Sequence, residues 1–321
     1  MFTALGEPEL HELANAFGLG AVAGFRAVAA GTINSNYQVD TEHGRYFVRV
    51  NEGKAEADVA WEARLITALA AAGVAAPPPL VAIDGRPYAP LGGIRKWASV
   101  FPWRPGEHVA AEAVTPAHAA TFGAALGELH LAALELPEAW RRGSIYDHDH
   151  LVMRFERCAR VDDKALARAV AVLREELAVA AAARPLRRGA THGIIHGDLF
   201  RDNVLWEGDR ISAILDFEQA SGGSLVYDLA VCINDWCWTI TPRVDLAAAL
   251  VGGYQRVRAL TPADRAALPV EIRAAAARFT LTRITDVYLA RVDNPEKDFR
   301  AFLARVEAWR GPALGQLTSA V

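Results

Sequence analysis

Asp198, Asn203 and Asp216 are the side chains whose types and spacing point most directly to chemistry. They lie in HGDLFRDNVLWEGDRISAILD, residues 196–216, with Asn203 five positions after Asp198. Two carboxylates and an amide oxygen are hard oxygen donors. Such donors suit Mg²⁺, which keeps several of its waters and is held through carboxylates and phosphates together. One carboxylate not committed to metal would accept a hydroxyl proton. The chemistry this set would support is metal-assisted reaction of a phosphate-bearing ligand, with a carboxylate at hand to take a proton.

Positioning such a set needs a turn. NVLW and ISAIL read as two short strands joined by the tight EGD turn, and a hairpin brings its outer ends together. Asp198 and Asn203 enter at one outer end and Asp216 leaves at the other, so all three would face one point. Upstream, FRAVAA, YQVD and RYFVRV alternate as strands around a turn at His43-Gly44. Residues 8–18 form a helix with Pro8 in its first turn. AEADVAWEARLITALAAAG forms another, ending at Gly73, with Val59, Ala63, Ile66 and Ala70 as its buried stripe. AAPPPL stops it, and a hairpin around Asp84-Gly85-Arg86 would follow, with VAI as its first strand. Thr115 and Pro116 open a long helix as N-cap and N1. Residues 151–183 read as two antiparallel helices, SGGS at 221–224 as a flexible stretch, Tyr227-Asp228 as a helix start, and 244–309 as mostly helical. The class is α+β, with the sheet early in the chain and helices late.

Size and composition set bounds. A chain of 321 residues, 52% hydrophobic and 22% charged, can bury a sizeable core and divide into two units of ordinary size. A formal charge of -4 advertises no nucleic-acid partner. No run of about 20 apolar residues predicts a membrane span. The amino-terminal stretch reads as an acidic amphipathic helix, not a signal peptide. Cys158, Cys232 and Cys237 form no CxxC and fit buried small side chains in a reducing cytoplasm. YDHDH at 146–150 reads as a solvated loop, and His118 and His130 as packing or surface residues, not ligands.

An Asp, an Asn five residues on, and a later Asp beyond a hairpin is the arrangement of the protein-kinase catalytic loop. HGDLFRDNVLW followed by ILDFEQA resembles the aminoglycoside phosphotransferase and choline kinase-like superfamily, small-molecule kinases of the protein-kinase fold. Within it the chain resembles bacterial homoserine kinases of this fold, through GTINSNYQV, HGDLFRDNV, LVYDLAVCINDWCW and LTRI. The similarity covers most of the chain. It implies a two-lobed α+β, protein kinase-like fold: a small antiparallel-sheet lobe over residues 1–101 that binds ATP, and a mainly helical lobe over 102–321 that carries catalysis and the acceptor.

Roles follow from the resemblance. Asp198 accepts or orients the hydroxyl proton, while Asn203 and Asp216 hold Mg²⁺. His196 supports the loop from within, and Asp228 steadies it through hydrogen bonds. The loop Gly31 to Asn36, with Asn34 and Ser35, covers the nucleotide phosphates. Arg49 stands where the family template has a lysine, paired with the helix residue Glu62; Lys54 is a second cation and Glu56 a second acid at hand. Arg remains charged and grips phosphate bidentately, so the exchange is chemically workable. Ser99 to Trp103, with Val100 and Phe101, cross between lobes as the adenine wall. Asn234 and Asp235 line the acceptor side, and Asp235 with Arg283 would take the ammonium and carboxylate of a free amino acid.

The resemblance implies L-homoserine as acceptor, giving O-phospho-L-homoserine for threonine synthesis. Choline would need an aromatic cage, for which Trp103, Trp236 and Trp238 are at hand. A polycationic aminoglycoside would need a strongly acidic acceptor lobe. Methylthioribose or another amino alcohol would also fit the loop. A pseudokinase that only binds nucleotide is a different class, against which the intact Asp198, Asn203 and Asp216 set argues.

Overall fold

The computed structural model describes residues 3–28 and 34–321. The chain forms two compact units: Met1–Glu107 with Leu205–Phe217, and His108–Val204 with Glu218–Val321. The first unit therefore runs past the expected end at 101, and it takes in a hairpin that chain order would give to the second.

In the first unit, α1 (Glu7–Phe17) starts with Pro8 in its first turn and ends at Gly18 in the left-handed conformation, φ 64. The strands β1 (Val22–Val28), β2 (Ser35–Thr41), β3 (Gly44–Asn51), β4 (Ala89–Leu91) and β5 (Lys96–Pro102) make one antiparallel sheet in the order β1-β2-β3-β5-β4. Side chains alternate across a pleated sheet. Val48 and Val50 thus join Tyr37 and Val39 in a core with Leu10, Leu13 and Phe17 of α1, and Arg49 points to the other face. Register sets Arg49 opposite Asn36 on β2 and Ser99 on β5. The helix α2 (Glu56–Ala71) buries Val59, Glu62, Ala63, Leu65, Ile66 and Leu69. Ala70 of the expected stripe is only half-buried. VAI is no strand. Its amides bond elsewhere, Ile83 to the Ala16 carbonyl and Ala82 to that of Arg86, at 2.9 and 2.8 Å.

The later hairpin, β7 (Val204–Glu207) and β8 (Arg210–Ile214), turns at Gly208. Trp206 and Glu107 exchange both backbone hydrogen bonds at 2.9 Å, and the Ile214 amide reaches the Ala75 carbonyl at 2.7 Å. Those bonds are why the hairpin belongs with the first unit.

The second unit is mainly helical: α3 (Pro116–Leu134), α4 (His148–Ala159), α5 (Ala167–Ala182), α6 (Arg184–Gly189), α7 (Leu225–Trp236), α8 (Val244–Val257), α9 (Pro262–Arg283), α10 (Phe299–Trp309) and α11 (Pro312–Ala320). Thr115 caps α3 by accepting the His118 amide at 3.1 Å. Asp147 caps α4 and also holds His150, so YDHDH is a helix start and not a bare loop. The helices α3 and α8 cross closely: a Cβ on Gly253 would stand 2.1 Å from the Ala120 carbonyl oxygen. SGGS is a strand, β9 (Ser221–Ser224), antiparallel to β6 (His192–Ile195). Its glycines serve proximity, since a Cβ on Gly223 would lie 2.4 Å from Ile195 Cδ1. All three cysteines are free and buried. Among the described residues, no helix is long and apolar enough to cross a membrane.

Candidate active site

The residues expected on the nucleotide side lie in the first unit. Gly31 falls outside the described residues. Glu62, 1% exposed, is gripped from both sides: Arg49 Nη2 lies 2.9 Å from Oε1 and Lys54 Nζ lies 3.3 Å from Oε2. Burial alone would raise the Glu62 carboxyl, but the Arg49 and Lys54 charges outweigh it and bring the pKa below its usual value. The expected Arg49–Glu62 pair therefore forms, with Lys54 as a further partner. The Arg49 guanidinium also lies 5.3 Å from the centre of the buried Phe101 ring. Val100 is fully buried and the Ser99 hydroxyl takes the Asn51 amide at 3.2 Å.

Asn34 and Ser35 are tied to Glu52. Asn34 accepts the Glu52 amide at 3.1 Å, and the Ser35 hydroxyl donates to its carboxylate at 2.8 Å. Lys96 and the Thr3 amide complete that cluster. These two side chains thus anchor the loop end from below, a structural task the sequence did not suggest. Asp216, just past β8, has φ 61, left-handed and uncommon for a residue with a side chain. Backbone of this kind concentrates where a side chain must be aimed.

The loop expected to be catalytic, His196–Asn203, lies in the second unit, between β6 and β7. Asp228 on α7 is fully buried and holds the loop from beneath: Oδ2 accepts the His196 amide at 2.7 Å and Oδ1 the Gly197 amide at 2.8 Å. His130 of α3 adds Nε2 to Asp228 Oδ2 at 3.1 Å, and its Nδ1 meets the Tyr254 hydroxyl of α8 at 2.8 Å. Burial would raise the Asp228 carboxyl, but the His130 hydrogen bond and charge, with the backbone amides, hold it below the usual carboxylate range. The Asp198 amide donates to His196 Nδ1 at 3.3 Å, and Asn203 Nδ2 donates to the Asp198 carbonyl at 2.7 Å. Asn203 thereby spends its nitrogen on the loop and keeps its carboxamide oxygen. His196, Asp198, Asn203 and Asp228 are thus brought together as one bonded loop.

Sequence reasoning missed Arg278. It lies on α9, 3% exposed, with Nη1 3.2 Å from Asp198 Oδ1. Its guanidinium sits 3.8 Å from the ring centres of both Tyr146 and Phe279. Burial pulls its pKa down, but Tyr227, Asp198 and Tyr146 outweigh that and leave it above its usual value. A charged residue on the apolar face of AAAARFTL was the available signal, since arginine is almost never fully buried unless paired.

The expected acceptor residues have protein partners. Asp235 accepts the Arg201 amide at 2.8 Å and its Nε at 3.0 Å, a pair that ties the catalytic loop to α7. Arg283 donates to the carbonyls of Glu296 and Asp298 at 3.3 and 3.1 Å and stands 4.4 Å from the Phe302 ring centre. Burial lowers its pKa, with Asp235 and Asp198 acting against the shift. Nearby, Arg305 is brought to about 10 by burial, against Asp235 and with the charges of Arg283 and Arg201. Asn234 is a core residue: fully buried, it bonds the Ala230 and Ile272 carbonyls and accepts Trp309 Nε1. Trp236 is also core, stacked on Phe122 at 4.2 Å, and Trp238 lies 4.9 Å from the Arg305 guanidinium. Neither makes part of an open cage for a quaternary amine.

Residues 24–260 match the model of the phosphotransferase enzyme family APH. A homoserine kinase of Methylobacterium radiotolerans is 36% identical over 290 residues, covering 89% of this chain and 88% of that one. A homoserine kinase of Parvibaculum lavamentivorans is 31% identical over 322 residues, covering 98% and 97%. Among solved structures, the amicoumacin kinase hAmiN in complex with AMP-PNP, Ca²⁺ and Ami superposes with a TM-score of 0.71 at 15% identity, covering 97% and 94%. A choline/ethanolamine kinase family protein from Mesorhizobium loti gives 0.67 at 20% identity, covering 98% and 97%. At such identities the structures speak for the fold, which is kinase-like, and the sequence matches speak for kinship. The chain belongs to the APH phosphotransferase enzyme family.

Proposed function

We propose that this protein transfers the γ-phosphoryl group of ATP to the side-chain hydroxyl of L-homoserine, giving ADP and O-phospho-L-homoserine. The observation that carries the reading is the 36% identity to a homoserine kinase over 89% of the chain, joined to an Asp198 carboxylate held in a bonded loop. Asp198 takes the hydroxyl proton as the acceptor oxygen attacks phosphorus and the bond to the β-phosphate oxygen breaks. Arg278 holds one Asp198 oxygen, which leaves the other for the hydroxyl. Arg49, fixed by Glu62 together with Lys54, aligns the donor phosphates. The protein's contribution is positioning and charge, as in other phosphoryl transfers.

Asn203 and Asp216 would hold Mg²⁺. The donors fit: Asn203 keeps its carboxamide oxygen because its nitrogen is committed to the Asp198 carbonyl, and Asp216 offers a carboxylate. Both are the hard oxygens that Mg²⁺ selects. When bound, the ion offsets charge on the β- and γ-phosphates. The test is ATP consumption over L-homoserine, L-serine, choline and kanamycin, with the product identified by ³¹P NMR. Turnover with homoserine well above the rest is expected. A preference for choline or kanamycin overturns the acceptor, and no turnover with any acceptor overturns the activity.

A further inference from the structure

The second unit contains a small cavity of about 60 Å³ between α4, α5 and α9, lined in part by Arg278, the partner of Asp198. Tyr146, Arg187, Tyr227, Ala274 and Arg278 are among its lining, as are two acids already paired, Asp147 with His150 and Glu176 with Arg273 and Arg310. Arg187 is held by both oxygens of Glu271, at 3.0 and 2.8 Å. Arg278 is different. Its two faces are covered by the Tyr146 and Phe279 rings, and Nη1 goes to Asp198. Its Nε is buried and finds no hydrogen-bond partner. A guanidinium takes a carboxylate through two adjacent N–H groups in its plane, and Nε belongs to the edge away from the one spent on Asp198. A buried donor left unmade carries a desolvation cost that an incoming acceptor group relieves.

We infer that Arg278 and the cavity beside it receive the carboxylate of the acceptor, so that one arginine links the acid end of the substrate to the residue that takes its hydroxyl proton. The inference rests on the amino-acid acceptor proposed above and gives that acceptor its recognition element. The cavity has room for a carboxylate but not for a whole amino acid, so the rest of the acceptor extends out of it toward Asp198. In the absence of acceptor, a water in the cavity would satisfy Nε, and the carboxylate would displace it. An alcohol that lacks the acid group leaves that water in place and gains nothing from Arg278, so the arrangement favours acceptors that carry a carboxylate.

The test compares L-homoserine with 3-aminopropan-1-ol, the same molecule without its carboxylate, as acceptors for the full chain. Wild type is expected to favour homoserine in kcat/KM by ~100-fold, the scale of a buried charge pair with one partner removed. Arg278→Gln is expected to collapse that ratio to a few-fold, since homoserine loses the contact and 3-aminopropan-1-ol has none to lose. Ala274→Leu fills the cavity without approaching Asp198 and is expected to lower the ratio as well. If Arg278→Gln lowers kcat on both acceptors equally and Ala274→Leu leaves the ratio standing, Arg278 only orients Asp198 and the inference is wrong. Should Arg278→Gln fail to fold, the Ala274→Leu ratio decides alone. A wild type that uses 3-aminopropan-1-ol as well as homoserine overturns the amino-acid reading itself, and that result is read before any variant is made.

Discussion

Replacing Asp228 with asparagine tests how the catalytic loop is held. The side chain keeps its shape and loses its charge and one acceptor. Asp228 now accepts the His196 amide at 2.7 Å, the Gly197 amide at 2.8 Å and His130 Nε2 at 3.1 Å. An asparagine turned with its oxygen toward His196 keeps two of these bonds and sets its own NH₂ against the Gly197 N–H. That loses one hydrogen bond to a charged acceptor, worth about 1.5–3 kcal/mol, and leaves a buried donor facing a donor. Turned the other way it loses two. The cheaper orientation therefore costs about 3 kcal/mol, which shifts a urea midpoint by ~1.5 M at an m-value of about 2 kcal/mol/M. Loosening Gly197 also frees Asp198, so kcat is expected to fall by ~10–100-fold while KM for ATP moves less. A double-mutant cycle with His130→Gln should show coupling of ~1 kcal/mol or more, because both changes act on one carboxylate. A midpoint shift below ~0.3 M with kcat within about twofold of wild type would refute the account of the loop as suspended from Asp228.

Two further outcomes follow from the same geometry. Asp198→Asn is expected to lower kcat by several orders of magnitude with the circular dichroism spectrum close to wild type, since its side chain is part-exposed and an asparagine oxygen can still accept from Arg278 Nη1; near-normal turnover would sink the proton-acceptor role. Burial would raise the Glu52 carboxyl, but hydrogen bonds from Lys96, Thr3 and Ser35 bring it down to about 2 from its usual 4.5. A carboxyl depressed in the folded state stabilises the fold above its unfolded pKa, and that gain disappears as pH falls from about 4.5 toward about 2. Wild type should therefore exceed Glu52→Gln in stability by ~1–2 kcal/mol near neutral pH, with the two curves meeting close to pH 2; parallel curves down to that pH would show that the cluster does not hold the loop end.

Local signals account for what was legible beforehand. The hairpin from Val204 to Ile214 and the spacing of Asp198, Asn203 and Asp216 are written in adjacent residues, as are the Thr115-Pro116 start of α3 and Gly73 after α2. Each depends on a cap, a turn or a two-residue period, and needs nothing from elsewhere in the chain. The misreadings have the opposite origin. SGGS looked flexible because glycine is permissive, yet Gly223 is small so that β9 can lie against Ile195. VAI looked like a strand because it is apolar and precedes Asp84-Gly85, yet its amides are taken by Ala16 and Arg86. In both, a packing partner decided between two local readings.

The acceptor residues show the same limit more sharply. Asp235 and Arg283 rest on their places in LVYDLAVCINDWCW and LTRI and on the cation and acid that an amino-acid acceptor needs. Asp235 turns out to answer Arg201, and Arg283 answers two carbonyls at the start of α10. Arg278 is a cation inside a buried helical face of α9, outside both of those segments. What separates the three is a buried donor left unmade, which Arg278 has and neither Asp235 nor Arg283 shows. Arg278 pairs with Asp198 and still has a buried N–H without an acceptor. A fold maintains such a group at a cost, and the cost is understandable where a ligand arrives to complete it. On the proposed reading, unspent hydrogen-bonding capacity next to Asp198 is therefore a further guide to acceptor recognition, beside charge and motif.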